Sequence, residues 1–93
     1  MFLILLNYLD MVKVNEQLAA HRSYLDKYYE QHKFICSGPQ NPRNGGVILC
    51  RAENKTEVQQ LIQEDPFHIH QAASYEIIEF NPIKYTPAFK PLL

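Results

Sequence analysis

Ninety-three residues with a formal net charge of −1 describe one small domain, a size that buries only roughly two-thirds of the surface its unfolded chain exposes. Hydrophobic residues make up 46% and charged residues 20%, the balance of a soluble globular chain. The nine Lys and Arg are scattered, which argues against nucleic acid and against an anionic membrane as partners.

Phe2 to Tyr8 reads as a first strand, almost continuously apolar. The opening Met1–Leu6 run is far short of the about 20 apolar residues of a membrane span. It also lacks the basic start and small-residue cleavage site of a secretion signal, so a cytoplasmic protein is expected. Asp10 to Val14 forms a polar turn into a first helix, with Asp10 and Asn15 as candidate caps. At helical spacing Val14, Leu18, His21, Leu25, Tyr28, Tyr29 and His32 share one side, whereas Glu16, Gln17, Asp26, Lys27 and Glu30 face away. The helix should end between Gln31 and Lys33, without a glycine cap.

Phe34-Ile35-Cys36-Ser37 reads as a second strand stopped by Gly38-Pro39. The segment after it is dense in turn formers, and Asn44-Gly45 is a hairpin signal. Val47 to Arg51 then pairs back as a third strand. Asn54 can cap a second helix over about Lys55 to Glu64, with Glu57 reaching back to the cap amide and Val58, Leu61 and Ile62 inward. Asp65-Pro66 ends that helix and opens a short further turn. Tyr75 to Phe80 reads as a fourth strand. Pro82, Pro87 and Pro91 make residues 82–93 an extended tail.

The order βαββαβ predicts a ferredoxin-like α+β domain over residues 1–93, a four-stranded antiparallel sheet with both helices on one face. Such a sheet should alternate apolar and polar residues, yet both faces are apolar: Phe2, Ile4 and Leu6 oppose Leu3 and Leu5, Val47 and Leu49 oppose Ile48 and Cys50, and Ile77 opposes Ile78 and Phe80. The economical cover is a second copy packed sheet to sheet, in a homodimer or a higher even oligomer. Cys36 and Cys50 lie in strand-like runs and read as reduced, buried thiols. They lack the CxxC spacing of a metal pair.

His21 stands on the apolar side of the first helix. A helix-face histidine of this kind is often a satisfied core residue; a partly buried imidazole can equally carry protons near neutral pH. Asp65, at a junction and not on a solvated face, is the best-placed carboxylate to orient it, although Asp before Pro is also a routine cap. Ser37 is a candidate orienting donor beside the sheet end. His68 and His70 form an HxH pair that would share one face of a strand. No carboxylate or cysteine supports it, so neither metal nor cofactor is expected.

A helix carrying His21 with Tyr24-Leu25 after it, Ser37-Gly38-Pro39 closing the second strand, and Asp65-Pro66-Phe67 after the second helix together resemble the YciI-like family, across residues 2–82. The resemblance implies a dimeric α+β barrel arrangement and a pocket with a histidine–aspartate catalytic dyad, here His21 and Asp65, with Ser37 lining it. Related proteins include a dehydrochlorinase of a chlorinated hydroxyquinol, muconolactone isomerases and monooxygenases. The loop carrying Arg43 is shorter here than in many relatives. Three functions follow as alternatives. The first is a cofactor-independent lyase, isomerase or hydrolase acting on a small anionic or aromatic molecule, with His21 and Asp65 as acid–base dyad and Ser37 or Arg43 holding the substrate. The second is a non-catalytic dimer that binds a small ligand or a partner protein. The third is a metal-binding module using His68 and His70.

Overall fold

In the computed structural model, which describes residues 1–93, the chain runs β1 (Phe2–Tyr8), α1 (Met11–Glu30), β2 (Phe34–Pro39), β3 (Gly45–Cys50), α2 (Lys55–Gln63), α3 (Pro66–Ile69) and β4 (Ala73–Glu79). A 3₁₀ helix over Pro87–Leu92 follows. The four strands form one antiparallel sheet in the order β2-β3-β1-β4, the expected ferredoxin-like arrangement, with the helices on one side. No helix is long and apolar enough to cross a membrane.

Asp10 alone caps α1, its carboxylate accepting from the amides of Val12 at 3.0 Å and Lys13 at 3.2 Å. Asn15 is therefore one turn inside the helix. At the other end His32 takes the left-handed conformation (φ 59°) where glycine is usual. The Lys33 amide then donates to the Tyr28 carbonyl and the His32 amide to that of Tyr29, closing the last turn. Asn54 caps α2 through the Glu57 amide at 2.9 Å. Glu57 does not return the bond to Asn54, as the capping-box spacing predicts; it accepts from the Glu53 amide at 2.8 Å, one residue earlier, and its other oxygen holds Lys33.

Register decides which side chains meet the helices. Ile4 lies opposite both Ile48 and Ile77, and with Phe2, Leu6 and Cys50 it faces a core closed by Val14, Tyr24, Tyr28, Val58, Leu61 and Phe67. Leu3 lies opposite Leu49 and Ile78, on the face without helices. The tail does little to close that face: no residue of Pro87–Leu92 is buried and Ile83 is 83% exposed. Part of this tail is wound and not extended as its prolines predict. Pro87 suits the first position of a helical turn, and the Phe89 amide reaches the Thr86 carbonyl at 2.9 Å.

Two local features redirect the β2–β3 hairpin. Gly38 and Pro39 do not stop β2 but pair with Val47 and Gly46. The register slips between Phe34 and Cys36, so that Phe34 faces the core opposite Cys50 while Cys36 points to the open face opposite Leu49. Cys36 is consequently exposed, contrary to expectation, and Cys50 alone is a buried thiol. The same slip turns Ser37 to the helix side, opposite Ile48. The strands are then joined through residues 40–44, and Gly45 is the first residue of β3 and not part of a tight turn. Neither it nor any other glycine has positive φ. Its requirement is closeness: a Cβ there would lie 2.1 Å from the Leu6 carbonyl oxygen.

Candidate active site

Three elements, α1, α3 and β4, meet at Asp65. His21 projects from the inner side of α1, and Asp65 caps α3 by accepting from the Phe67 amide at 3.0 Å. Pro66, fixed in helical φ and lacking an amide hydrogen, suits the first position of that turn. The cap oxygen that holds Phe67 also meets His21: Nδ1 to Oδ1 is 2.7 Å. Asp65 is fully buried and His21 is 8% exposed. The two residues, 44 apart in sequence, are thus brought within direct hydrogen-bond reach, as the dyad requires.

The carboxylate has one further partner. The Tyr75 hydroxyl, from β4, donates to Oδ2 at 2.6 Å. The His21 ring lies flat against Phe67, centroids 3.9 Å apart and planes 6° apart. Tyr24 ties α1 to the end of α2 through its hydroxyl and the Leu61 carbonyl, 2.7 Å. Burial, with the Asp65 charge nearby, pushes the Tyr24 phenol far above its ordinary range, so it acts here as a donor and packing group.

His21 Nδ1 is occupied, and Nε2 makes no hydrogen bond within the chain. Every fully buried side-chain nitrogen and oxygen has a partner, so Nε2 is not sealed in the core, and His21 lines a pocket. This pocket, about 240 Å³, lies between α1 and the β1–β2–β3 part of the sheet and includes Leu6, Tyr8, Leu25, Ser37, Val47 and Ile48 in its walls. Arg22 and Arg43 line it too, and no carboxylate does. Neither arginine is engaged in an ion pair. Arg43 sits over the Tyr8 ring at 5.8 Å, on a loop pinned to β1 by the Tyr8 amide and the Asn44 carbonyl at 3.0 Å. The Ser37 hydroxyl is bonded to that of Tyr29. The arrangement offers one accessible imidazole nitrogen, one hydroxyl pair and two unpaired guanidiniums around an apolar floor. Chemically, it can move a proton next to a bound anion.

All four sequence-derived site residues therefore fall together: His21, Ser37 and Arg43 on the pocket wall, and Asp65 directly behind His21. Arg22 and Tyr75 gained no role from the sequence. Arg22 sits beside His21 on the helix and only the pocket brings it to the site; Tyr75 reads as an ordinary strand residue. His68 and His70 separate, because they lie on the short helix α3 and its cap and not on a strand. Two residues along a helix turn the side chain by about 200°. No cluster of three or more His, Cys, Asp or Glu side chains suits a metal ion.

A small α+β domain with a buried histidine–carboxylate pair opening on a cationic pocket is the class defined by this geometry. The chain belongs to the YCII-related domain family, whose profile matches residues 1–81. No functionally curated protein matches it in sequence. Among solved structures it is similar to 5-chloro-2-hydroxyhydroquinone dehydrochlorinase from Burkholderia phenoliruptrix, in complex with 2,5-dihydroxybenzoquinone. The TM-score is 0.72 and the identity 19%, over 87% of this chain and 94% of that one. At that identity the likeness is one of fold.

Proposed function

We propose that this chain is a cofactor-independent acid–base enzyme of the lyase, isomerase or hydrolase type, acting on a small planar anion. His21 carries the proton at Nε2. Asp65 orients the ring through Nδ1 and stabilises the imidazolium once it forms. Ser37 and Arg43 hold the substrate, the guanidinium supplying the charge that an anionic group or a developing oxyanion needs. In an elimination the C–H bond breaks towards Nε2, its electron pair forms the new double bond, and the leaving group departs with its own pair. The observation that carries this reading is the 2.7 Å bond from His21 Nδ1 to a fully buried Asp65, with the opposite ring nitrogen unbonded and His21 lining a pocket that contains arginines but no carboxylate.

The working unit we propose is a dimer. Leu3, Leu5, Val47 and Leu49 are only half-buried, and Ile78 is 41% exposed on the same face. A second copy packed there removes the patch from water.

Calorimetry with 2,5-dihydroxybenzoquinone, and chloride release from 5-chloro-2-hydroxyhydroquinone, test the proposal, because the structural neighbour defines both as probes of a site with this fold. Binding is expected for the wild type and weakened at least about tenfold in R43A, the worth of one charge-assisted contact. H21N should bind but not turn over. Binding with turnover unaffected by H21N would remove His21 from the chemistry, and binding with no turnover in any protein would assign the chain to ligand binding alone. If neither compound binds and a wider set of small planar anions also fails, the substrate class is wrong.

A further inference from the structure

We infer that Tyr75 is a positioning residue whose hydroxyl, acting through Asp65, fixes His21 as a general base with an unprotonated Nε2 facing the pocket. The inference rests on the acid–base reading of His21 and adds a direction to it: the first proton moves from substrate to enzyme.

The argument begins with the acceptors on Asp65. Oδ1 lies 2.7 Å from His21 Nδ1 and accepts from the Phe67 amide at 3.0 Å, so it has two partners. Oδ2 has one partner, the Tyr75 hydroxyl at 2.6 Å. The carboxyl group is fully buried in the native packing, and no other group of the chain donates to Oδ2. A buried charged oxygen without a donor is costly, and the simplest relief is to take up a proton. A proton on Oδ2 would cancel the charge that holds the imidazole hydrogen at Nδ1. The ring would then be free to carry its hydrogen on Nε2, where it could not accept one from a substrate. Tyr75 blocks that route by filling the vacant lone pair.

Tyr75 is well placed for this. It lies opposite Leu6 in the sheet, on the core side, and His68 packs edge-on to its ring at 5.8 Å. Burial and the Asp65 charge together push its phenol far above the ordinary tyrosine range, so the hydroxyl stays protonated and donates. In the reaction its proton does not move. The substrate X–H bond breaks, the hydrogen joins Nε2, and the electron pair stays on the substrate or expels its leaving group. The Asp65 carboxylate, with Oδ2 still held, faces the new imidazolium.

The test is the tautomer of the His21 ring, which a residue of merely structural importance would leave alone. Long-range ¹H–¹⁵N spectra of labelled protein report it, with His21 assigned by the signals missing in H21Q. The neutral ring of the wild type should show hydrogen on Nδ1 and a bare Nε2. In Y75F the share of the Nε2–H form should rise about fivefold, the weight of one hydrogen bond; D65N should raise it further. A wild-type ring with hydrogen on Nε2 overturns the base assignment. An unchanged pattern in Y75F alongside a changed one in D65N overturns the role of Tyr75 and leaves the dyad standing. No change even in D65N means the dyad itself has failed. Should Y75F not fold, the wild type still decides. The Tyr75 hydroxyl hydrogen should appear as a slowly exchanging resonance that disappears in D65N, and its absence from the wild-type spectrum overturns the proposal.

Discussion

The His21 imidazole lies flat on the ring of Phe67, and the backbone amide of the same Phe67 holds the carboxylate that binds His21. One residue therefore fixes both partners, one through its side chain and the other through its main chain. Stacking restricts rotation of the imidazole plane, and the amide restricts the carboxylate. The Asp65-Pro66-Phe67 sequence is a helix start and a site scaffold together. A rigid arrangement of this kind holds the imidazole and the carboxylate in one geometry.

Truncation at Phe67 should therefore damage stability and geometry at once. The ring is fully buried and edge-packed against Tyr8 at 6.0 Å. Phe67→Ala should cost about 3–5 kcal/mol in a urea titration, the usual range for removing a buried aromatic ring. Phe67→Leu keeps the amide and most of the volume, so a smaller loss is expected. In that variant the His21 ring resonances should broaden as stacking is lost, while the Asp65 cap persists.

Asp65 separates charge from capping. Asp65→Ala leaves the Phe67 amide, the Tyr75 hydroxyl and His21 Nδ1 without their common acceptor, and about 3–5 kcal/mol of stability should go with it. Asp65→Asn retains an oxygen that can still cap α3, so the loss should be nearer about 1–2 kcal/mol. Proton transfer by His21 should nevertheless fail in both. Equal destabilisation by the two substitutions, seen in urea midpoints, would mean that the cap oxygen contributes nothing.

How much of this was legible in the residues depends on which physical rule governed each position. The βαββαβ order follows from periodicity and turn chemistry, and it survives because long, strongly patterned segments seldom change type. Asp65-Pro66 announces a helix start by itself, and His21 announces an apolar helix face. Their meeting could be expected from the family resemblance but not from spacing. The Ser37 orientation could not be read, because a register slip after Phe34 reverses the alternation and no residue there signals a bulge. Cys36 was misplaced for the same reason. Asn44-Gly45 has the form of a tight turn, yet its glycine is required by the approach of the Leu6 carbonyl, a long-range contact that local sequence does not encode. Tyr75 was invisible because its role depends on a carboxylate ten residues upstream that reaches it only after folding.

The two thiols should differ sharply in reactivity. Burial, and the Glu57 charge secondarily, push Cys50 up to about 11, and it has no solvent exposure. Cys36 is exposed on the sheet. Iodoacetamide at pH 8 should leave Cys50 unlabelled except in denaturant, as peptide mass reports, and should label Cys36 readily in the lone chain and less so where a second copy covers the open face. Rapid native labelling of Cys50 would contradict the core packing around Phe2 and Val58.

Acid should loosen the polar ties that hold α2 to α1 and to the residues just after it. The Lys33 ammonium and the Glu53 amide hold Glu57 below its usual range, and the Tyr28 hydroxyl and Lys27 do the same for Glu64. For a group with a depressed folded value, the stabilisation is complete above its unfolded value, about 4.3 for glutamate, and is lost as pH falls through the folded value. Melting temperature should therefore be flat from pH 7 to 5 and fall below about 4.3. In Glu57→Gln with Glu64→Gln the fall should be shallower. Both carboxylates are partly solvated, so the difference should be small.

The open sheet face gives the most direct check on assembly. Ile78 lies opposite Leu3, and together with Leu5, Val47 and Leu49 it presents an apolar strip to water in a lone chain. A lysine at position 78 of a monomer would simply extend into solvent and change stability by less than about 0.5 kcal/mol. Covered by a second sheet, the same ammonium would lose water without gaining a partner, a far larger penalty. Light scattering of the wild type should thus give twice the 10.9 kDa chain mass at micromolar concentration, and Ile78→Lys should give the chain mass itself with an unchanged far-ultraviolet spectrum. A wild-type mass equal to one chain would leave the strip uncovered and rule out the dimer.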